Sequence, residues 1–226
     1  MVARAKKGME GSPQVGREDG TRGTREAAKQ ETRERLLQAA SRRFVQDGFL
    51  DASTASIARE AGVAHGTIFL HFPDRDALLL AVVERLLYQL SSTLHPACFR
   101  ANDLEALCRL FMEALSTQEE IYGALVRDLP RFPLPLKRQV FTTFSAITAH
   151  FTEVLEQGQA EGTLRPIPTA VANSFFFGAL NHLFLYRDLM TPDGRVVATH
   201  GETLVNTFVQ MLAMPEPHHQ GAGAER

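Results

Sequence analysis

Cysteine is scarce in this chain: among 226 residues only Cys98 and Cys108 occur. Two cysteines give no disulfide framework and suit a reducing compartment. Long apolar runs are missing as well. None reaches the roughly 18 residues of a membrane span, and the N-terminus lacks a signal peptide's apolar core, so the expectation is a cytoplasmic protein with no membrane partner. No charge of one sign dominates, since 24 Lys+Arg against 26 Asp+Glu leave −2, which by itself does not advertise nucleic-acid binding. Catalytic signatures are lacking: there is no nucleophile elbow, phosphate loop or metal-binding helix motif, so no enzyme is expected. His95 with Cys98 is too sparse a set for zinc, and His218 and His219 sit in a polar tail, so no metal and no cofactor are expected. Alternating strand patterns and internal repeats do not appear either. What survives these exclusions is an all-α chain.

The composition that remains is that of an ordinary soluble protein, with 44% hydrophobic and 22% charged residues. Residues 1–76 carry 13 Lys+Arg and 11 Asp+Glu, whereas residues 77–226 carry 11 and 15, a mild asymmetry that makes the first part the more basic. Met1–Gly23 is polar and glycine-rich, and residues 1–29 are expected to be a disordered arm; residues 215–226 read as a disordered tail.

The stretch from Ser53 to Asp76, STASIAREAGVAHGTIFLHFPDRD, has the pattern of two short helices around a tight turn. Ala58 is small where a second helix would cross, Gly62 sits where the first helix ends and positive φ is needed, and Ile57, Val63 and Ile68 form an apolar inner face. Ser53 is placed to cap the first of these helices, and Asp74 to cap the helix that follows. Ala64, at the start of the second, is a poor cap. The outer face keeps His65, Gly66, Thr67, Leu70 and His71, side chains that could meet a major groove. Upstream, TRERLLQAASRRFVQDGF is amphipathic and predicts a helix over about 30–47. Downstream, a helix opens at Asp74 and should end before Pro96.

Over Thr32–Leu90, through SIAREAG, GVAHGTIFLHFPDRDALL and RFVQDGF, the chain resembles the TetR/AcrR family of bacterial transcription regulators. The resemblance implies a helix-turn-helix DNA-binding head over residues 30–90, with its motif at about 53–72. It implies double-stranded operator DNA, palindromic or pseudo-palindromic, as the partner. Ser53 and Thr54 would bind phosphate at a helix N-terminus, Thr67 a phosphate or base, and His71 and Arg75 phosphate; His65, Gly66, Phe69 and Leu70 complete the DNA-facing set. Phe69 stands where relatives usually have tyrosine, which removes one phenol–phosphate hydrogen bond, and Ala55 removes a side chain some relatives use to read a base.

Residues 91–214 are helical in pattern, and the resemblance implies that they form a larger domain for effector binding and dimerisation. Leu104, Leu107, Cys108, Phe111, Met112 and Leu115 form one apolar stripe, a long helix ends near Gly158, and another runs over about 168–190. That last helix is apolar over most of its circumference and needs more than one packing partner. The resemblance implies a bundle of such helices spanning a homodimer, so one face, with Phe175, Gly178, Ala179 and His182, is expected at that interface with Leu204, Phe208 and Met211 of the final helix. A pocket for a small apolar effector is expected among Phe111, Met112, Phe144, Phe151 and Phe177, with His150, Asn173, Asn181, His182 and Arg187 as candidate polar anchors, His150 and Asn181 foremost. The function these features predict is a homodimeric repressor released from its operator by the effector. The rivals are an activator or a redox-responsive regulator using its cysteines. A helical carrier or enzyme for lipophilic molecules with a vestigial helix-turn-helix is a rival from another class.

Overall fold

The computed structural model describes the backbone of residues 18–98, 103–191 and 194–215, and the side chains of these except at 18–22 and 93–98. The first 17 residues of the expected arm, nearly all of the expected tail, and the side chains of His95 and Cys98 lie outside the described residues. Among the described residues ten α-helices follow one another: α1 Glu18–Asp47, α2 Thr54–Ala61, α3 His65–His71, α4 Arg75–Cys98, α5 Leu104–Ser116, α6 Glu119–Asp128, α7 Leu134–Ala160, α8 Thr169–Leu185, α9 Arg187–Met190 and α10 Val196–Leu212. A 3₁₀ turn, Leu129–Arg131, joins α6 to α7. Among the described residues there is no strand beyond one isolated bridge, Leu164 with Ala213, so the all-α expectation holds.

Helices α1–α3 form the head. Leu36, Ala40, Phe44, Ile57 and Ile68 are fully buried in it, each large side chain stabilising the fold by about 1.5–3 kcal/mol. The turn between α2 and α3 is built as its residues demand. Ser53 Oγ accepts the Ser56 N–H at 3.0 Å, and Gly62 takes φ +68° while its N–H closes onto the carbonyls of Ala58 and Arg59. Ala64 opens α3 without any side-chain cap. Asp74 Oδ1 accepts the Ala77 N–H at 2.8 Å and caps α4.

Helix α4 leaves the head, packing against α1 at one end and against α5 and α7 further along. The body is a layered bundle in which α8 rests on α6, α7 and α10 and α5 is covered by α10. Its centre is a ring cluster: Phe111, Phe151, Phe176 and Phe177 lie with centroids 5.1–6.1 Å apart, most of them edge-on.

Three boundaries differ from expectation. Helix α1 begins at Glu18, so residues 18–29 are helical rather than part of a disordered arm. The run TREAAKQ is made of good helix formers, and Gln30 reaches back to Glu26 at 3.2 Å. Helix α4 passes Pro96 and ends at Cys98, so the ladder bond that the proline cannot make falls in the last turn, and the helix stops two residues beyond it. Helix α8 stops at Leu185; Tyr186, at φ −110° and ψ 26°, turns the chain into the short α9.

Candidate nucleic-acid interface and ligand cavity

Helix α3 is seven residues long and buries only Ile68. An isolated helix of this length is unstable in water, so its orientation comes from its supports. Thr54 Oγ1 lies 2.9 Å from His65 Nε2 and ties the start of α3 to the start of α2. At the other end Phe72 is buried beneath the Arg33 guanidinium, 4.6 Å above its ring. The residues facing out are then fixed: Leu70 is 78% exposed and Phe69 47%, with His65 and Gly66 exposed beside them and Thr67 half-buried. A Cβ built on Gly66 meets nothing within 4 Å; nothing inside the chain requires glycine there. Ser53 Oγ uses a lone pair for its cap and keeps its proton to donate, whereas the Thr54 hydroxyl is shared with His65.

Two expected phosphate ligands are placed differently. Arg75 does not face outward: its guanidinium turns into the loop before α2, where Nη2 donates to the carbonyl of Phe49 and both Nε and Nη2 donate to that of Ala52, at 3.3 and 3.2 Å. Three donors matched to two carbonyls of a helix-to-helix loop make it a structural clamp. His71 is half-buried, and burial, helped by Lys29 and Arg33 nearby, lowers its pKa below the ordinary histidine value. Its neutral form is therefore favoured more than in an ordinary histidine. The cations of this edge are Lys29 and Arg33 of α1, which the helix-turn-helix spacing alone does not reveal because they lie far upstream.

In the body, a cavity of about 490 Å³ opens between α6, α7 and α8. Leu125, Val126, Val140, Phe144 and Phe177 give it an apolar wall; its polar groups are the hydroxyls of Tyr122, Ser145, Thr148, Thr152, Thr169 and Ser174 and the amides of Asn173 and Asn181. Phe144, Phe177 and Asn181 are thus where expected. Phe111 and Phe151 are not: both are fully buried in the ring cluster behind the cavity. Met112 is buried against α10, its methyl 3.1 Å from the position a Cβ on Gly201 would take. His150 stands beside Glu153, Nδ1 to Oε2 3.9 Å, and does not line the cavity. The reason is helical phase. Positions 141, 144, 145, 148 and 152 share one side of α7, and 147, 151 and 154 the side that faces the core. The threonine and serine spacing of that first side is the signal that would have identified the wall.

The same helix that walls the cavity touches the head. Asp128, at the end of α6, is 3% exposed, and its Oδ2 accepts the Phe49 N–H at 2.7 Å. Phe132 meets Phe49 edge-on at 6.0 Å. Gly48, at φ +94°, has no room for a side chain, since a Cβ would lie 2.9 Å from Asp128 Oδ2. The loop after α1 is thereby held by Asp128 on its amide side and by Arg75 on its carbonyl side.

On the opposite side of α8, Val171, Phe175, Gly178, Ala179 and His182 are exposed, as is Met211 of α10. Phe208 departs from its expected place: it is 3% exposed and packs at 5.0 Å on Phe176, because its turn of α10 faces the core. Leu204 is half-buried against that core. Cys108 is fully buried, and burial pushes its thiol pKa far up, so it is an inert core residue and not a redox sensor. Among the described residues no group of His, Cys, Asp and Glu could hold a metal ion, and no helix is long and apolar enough to cross a membrane.

A small helix-turn-helix head on an all-helical body with its own cavity defines a DNA-binding regulator. Residues 36–82 match the family of bacterial regulatory proteins, tetR family, and residues 101–212 match the tetracyclin repressor-like C-terminal domain. The chain is 23% identical over 195 residues to the HTH-type transcriptional repressor BepR of Brucella suis biovar 1, covering 82% of this chain and 93% of that one. It is 28% identical over 208 residues to the HTH-type transcriptional regulator TtgR of Pseudomonas putida, covering 85% and 96%. Among solved structures, the transcriptional regulator FadR from Bacillus subtilis in complex with stearoyl-CoA aligns with a TM-score of 0.69 at 16% identity, over 78% of this chain and 97% of that one. The chain belongs to the TetR family of bacterial transcription regulators, and it is a regulator rather than an enzyme.

Proposed function

We propose that this regulator is a cytoplasmic homodimeric repressor that leaves a palindromic operator when a small apolar molecule fills the cavity of each subunit. One observation carries the reading: α6 lines the cavity with Tyr122, Leu125 and Val126 and, at its last residue, holds the head through Asp128 and the Phe49 N–H. A ligand that moves α6 by a fraction of a turn moves that acceptor. Ligand and DNA are linked only through a difference in ligand affinity between the two dimer shapes, and the link is reciprocal.

In this reading α3 enters the major groove. Thr67 and Leu70 meet base edges, the Thr67 methyl and the Leu70 side chain being suited to the thymine methyl group, while Ser53, Lys29 and Arg33 take phosphate. The exposed face of α8 with Met211 meets its symmetry mate, and the two-fold sets the recognition helices about 34–36 Å apart or a multiple of it. BepR, by its description a repressor, supports the direction of control.

Gel shift of the full-length protein on its own upstream region tests the reading. Sequence-specific retardation, relieved by an apolar ligand and restored by its removal, is the expected result. Retardation indifferent to every cavity ligand would leave a DNA-binding protein without effector control. The Asp128→Asn variant separates the steps: it should keep ligand binding while weakening the coupling between ligand and operator.

A further inference from the structure

We infer that the ligand of the cavity is an electrically neutral molecule with an apolar, ring-bearing middle, a hydrogen-bond donor at the Asn173 end and an acceptor at the Asn181 end. The inference rests on the reading of this cavity as the effector site and specifies its chemistry.

Among the described residues, no side chain lining the cavity carries a charge: its polar groups are amides and hydroxyls. The Tyr122 hydroxyl also lines it, and burial raises its pKa well above the ordinary tyrosine value, so it stays protonated. An ion taken into such a site would lose its hydration and find no counter-charge, which is strongly disfavoured. That counts against carboxylates, ammonium compounds and the phosphates of an acyl-coenzyme A alike.

The hydrogen bonds set which end is which. The Thr152 hydroxyl donates to the Thr148 carbonyl at 2.9 Å, so only its lone pairs are left for Asn173. The Asn173 amide must therefore turn its Nδ2 to Thr152, at 3.0 Å, and its Oδ1 is left buried without a partner. A buried acceptor in that condition is costly until something donates to it; sealed off as it stands, it meets a ligand when the amide turns towards the cavity that Asn173 lines. At the other end the Tyr122 hydroxyl donates to Asn181 Oδ1 at 2.7 Å, which commits the oxygen and leaves the amide NH₂ as the donor. Asn173, Phe177 and Asn181 lie four residues apart on α8, so acceptor, ring and donor follow one another over about 12 Å of helix. Phe144 closes on the same ring, 5.7 Å from Phe177 and edge-on.

Competition against N-phenyl-1-naphthylamine fluorescence on the full-length protein tests this, with biphenyl, 4-hydroxybiphenyl, biphenyl-4-carboxylate, 4-(aminomethyl)biphenyl and stearoyl-coenzyme A as competitors, and with operator gel shift in parallel. The expected result is that 4-hydroxybiphenyl binds about tenfold or more tighter than biphenyl and than either ion. Asn173→Leu should abolish its advantage over biphenyl. Asn173→Asp should turn the preference towards 4-(aminomethyl)biphenyl by about tenfold, a gain that a misfolded variant cannot show. A carboxylate, ammonium or coenzyme A ligand that binds as tightly as the phenol overturns the inference, and if it also releases DNA the effector reading stands without it. No saturable displacement by any biphenyl overturns it as well. Selective phenol binding with the operator still retained supports the ligand chemistry and removes the release mechanism instead.

Discussion

Helices α3 and α8 both present side chains outward, and the chain supports them in opposite ways. Helix α3 buries one residue, Ile68, and borrows its rigidity from Thr54, Phe72 and Arg33 around it. Helix α8 buries Ala172, Asn173, Phe176, Phe177, Leu180 and Phe184 and still leaves Val171 44% and Phe175 54% exposed. A short helix read by a groove needs only a fixed orientation, since phosphates supply the affinity and a few base contacts the selectivity. A helix that is to join two subunits, as proposed for α8, must supply the energy itself, through apolar area removed from water.

Ala179 is where the difference between α3 and α8 should show most. Ala179→Arg puts a charge in the middle of the exposed α8 face and should leave a monomer in sedimentation. Operator affinity should then fall about 100-fold or more, because two tethered heads bind far better than one. A dimer that still holds its operator would place the subunit contact elsewhere.

A smaller effect is expected at Arg75. Arg75→Ala strips the Phe49 and Ala52 carbonyls of a charged donor and should cost about 2 kcal/mol in denaturant unfolding. The log–log salt slope of DNA binding should stay as it is; a slope reduced by about 1 would put Arg75 on phosphate.

Phe69→Tyr sharpens the account of α3. The ring is half-exposed and meets His65 edge-on at 5.5 Å, so an added hydroxyl reaches outward and should tighten operator binding by about 0.5–1.5 kcal/mol. Weaker binding would mean that the ring is already seated against DNA.

The mildest case is Glu119, whose carboxyl is buried with its Oε1 accepting the Val197 N–H at 2.9 Å. Burial raises its pKa above the ordinary glutamate value, so the folded chain holds this proton where the unfolded chain has released it. Stability from this group is present at low pH and is lost as pH rises through the raised pKa. Glu119→Gln keeps the acceptor without the charge. Its melting temperature should gain on the wild type as pH goes from about 4 to 7, and a constant difference would mean the carboxyl ionises freely in the fold.

How much of this was legible in the sequence follows from how local each cause is. The head was readable because its signals act within a few residues: Ser53 caps, Gly62 turns, Ile57 and Ile68 face inward. Arg75 is not legible in this way because its partners, Phe49 and Ala52, lie more than twenty residues upstream, and a guanidinium at the start of the helix after the recognition helix has the same sequence appearance whether it turns in or out. In the body, hydrophobic spacing located the helices but not their rotation. Phe144 and Phe151 carry the same side chain on one helix, and only contact with α8 and α5 decides that one walls the cavity and the other fills the core. Asn173 was visible as a polar residue on an apolar helix, and its orphaned oxygen becomes apparent only once Thr152 is placed beside it.

The two ends of α10 have a further consequence. Glu119 holds the amide of Val197 in its first turn, while at its far end the Arg165 N–H and Nε bond the Leu212 and Ala213 carbonyls at 2.8 and 3.0 Å, and the Met214 N–H reaches Thr163 at 3.0 Å. Helices ordinarily fray at both ends, where backbone groups lack partners. This one is fastened at both, so its terminal amides should exchange with deuterium nearly as slowly as its middle, and it should turn as a rigid spindle when its neighbours shift.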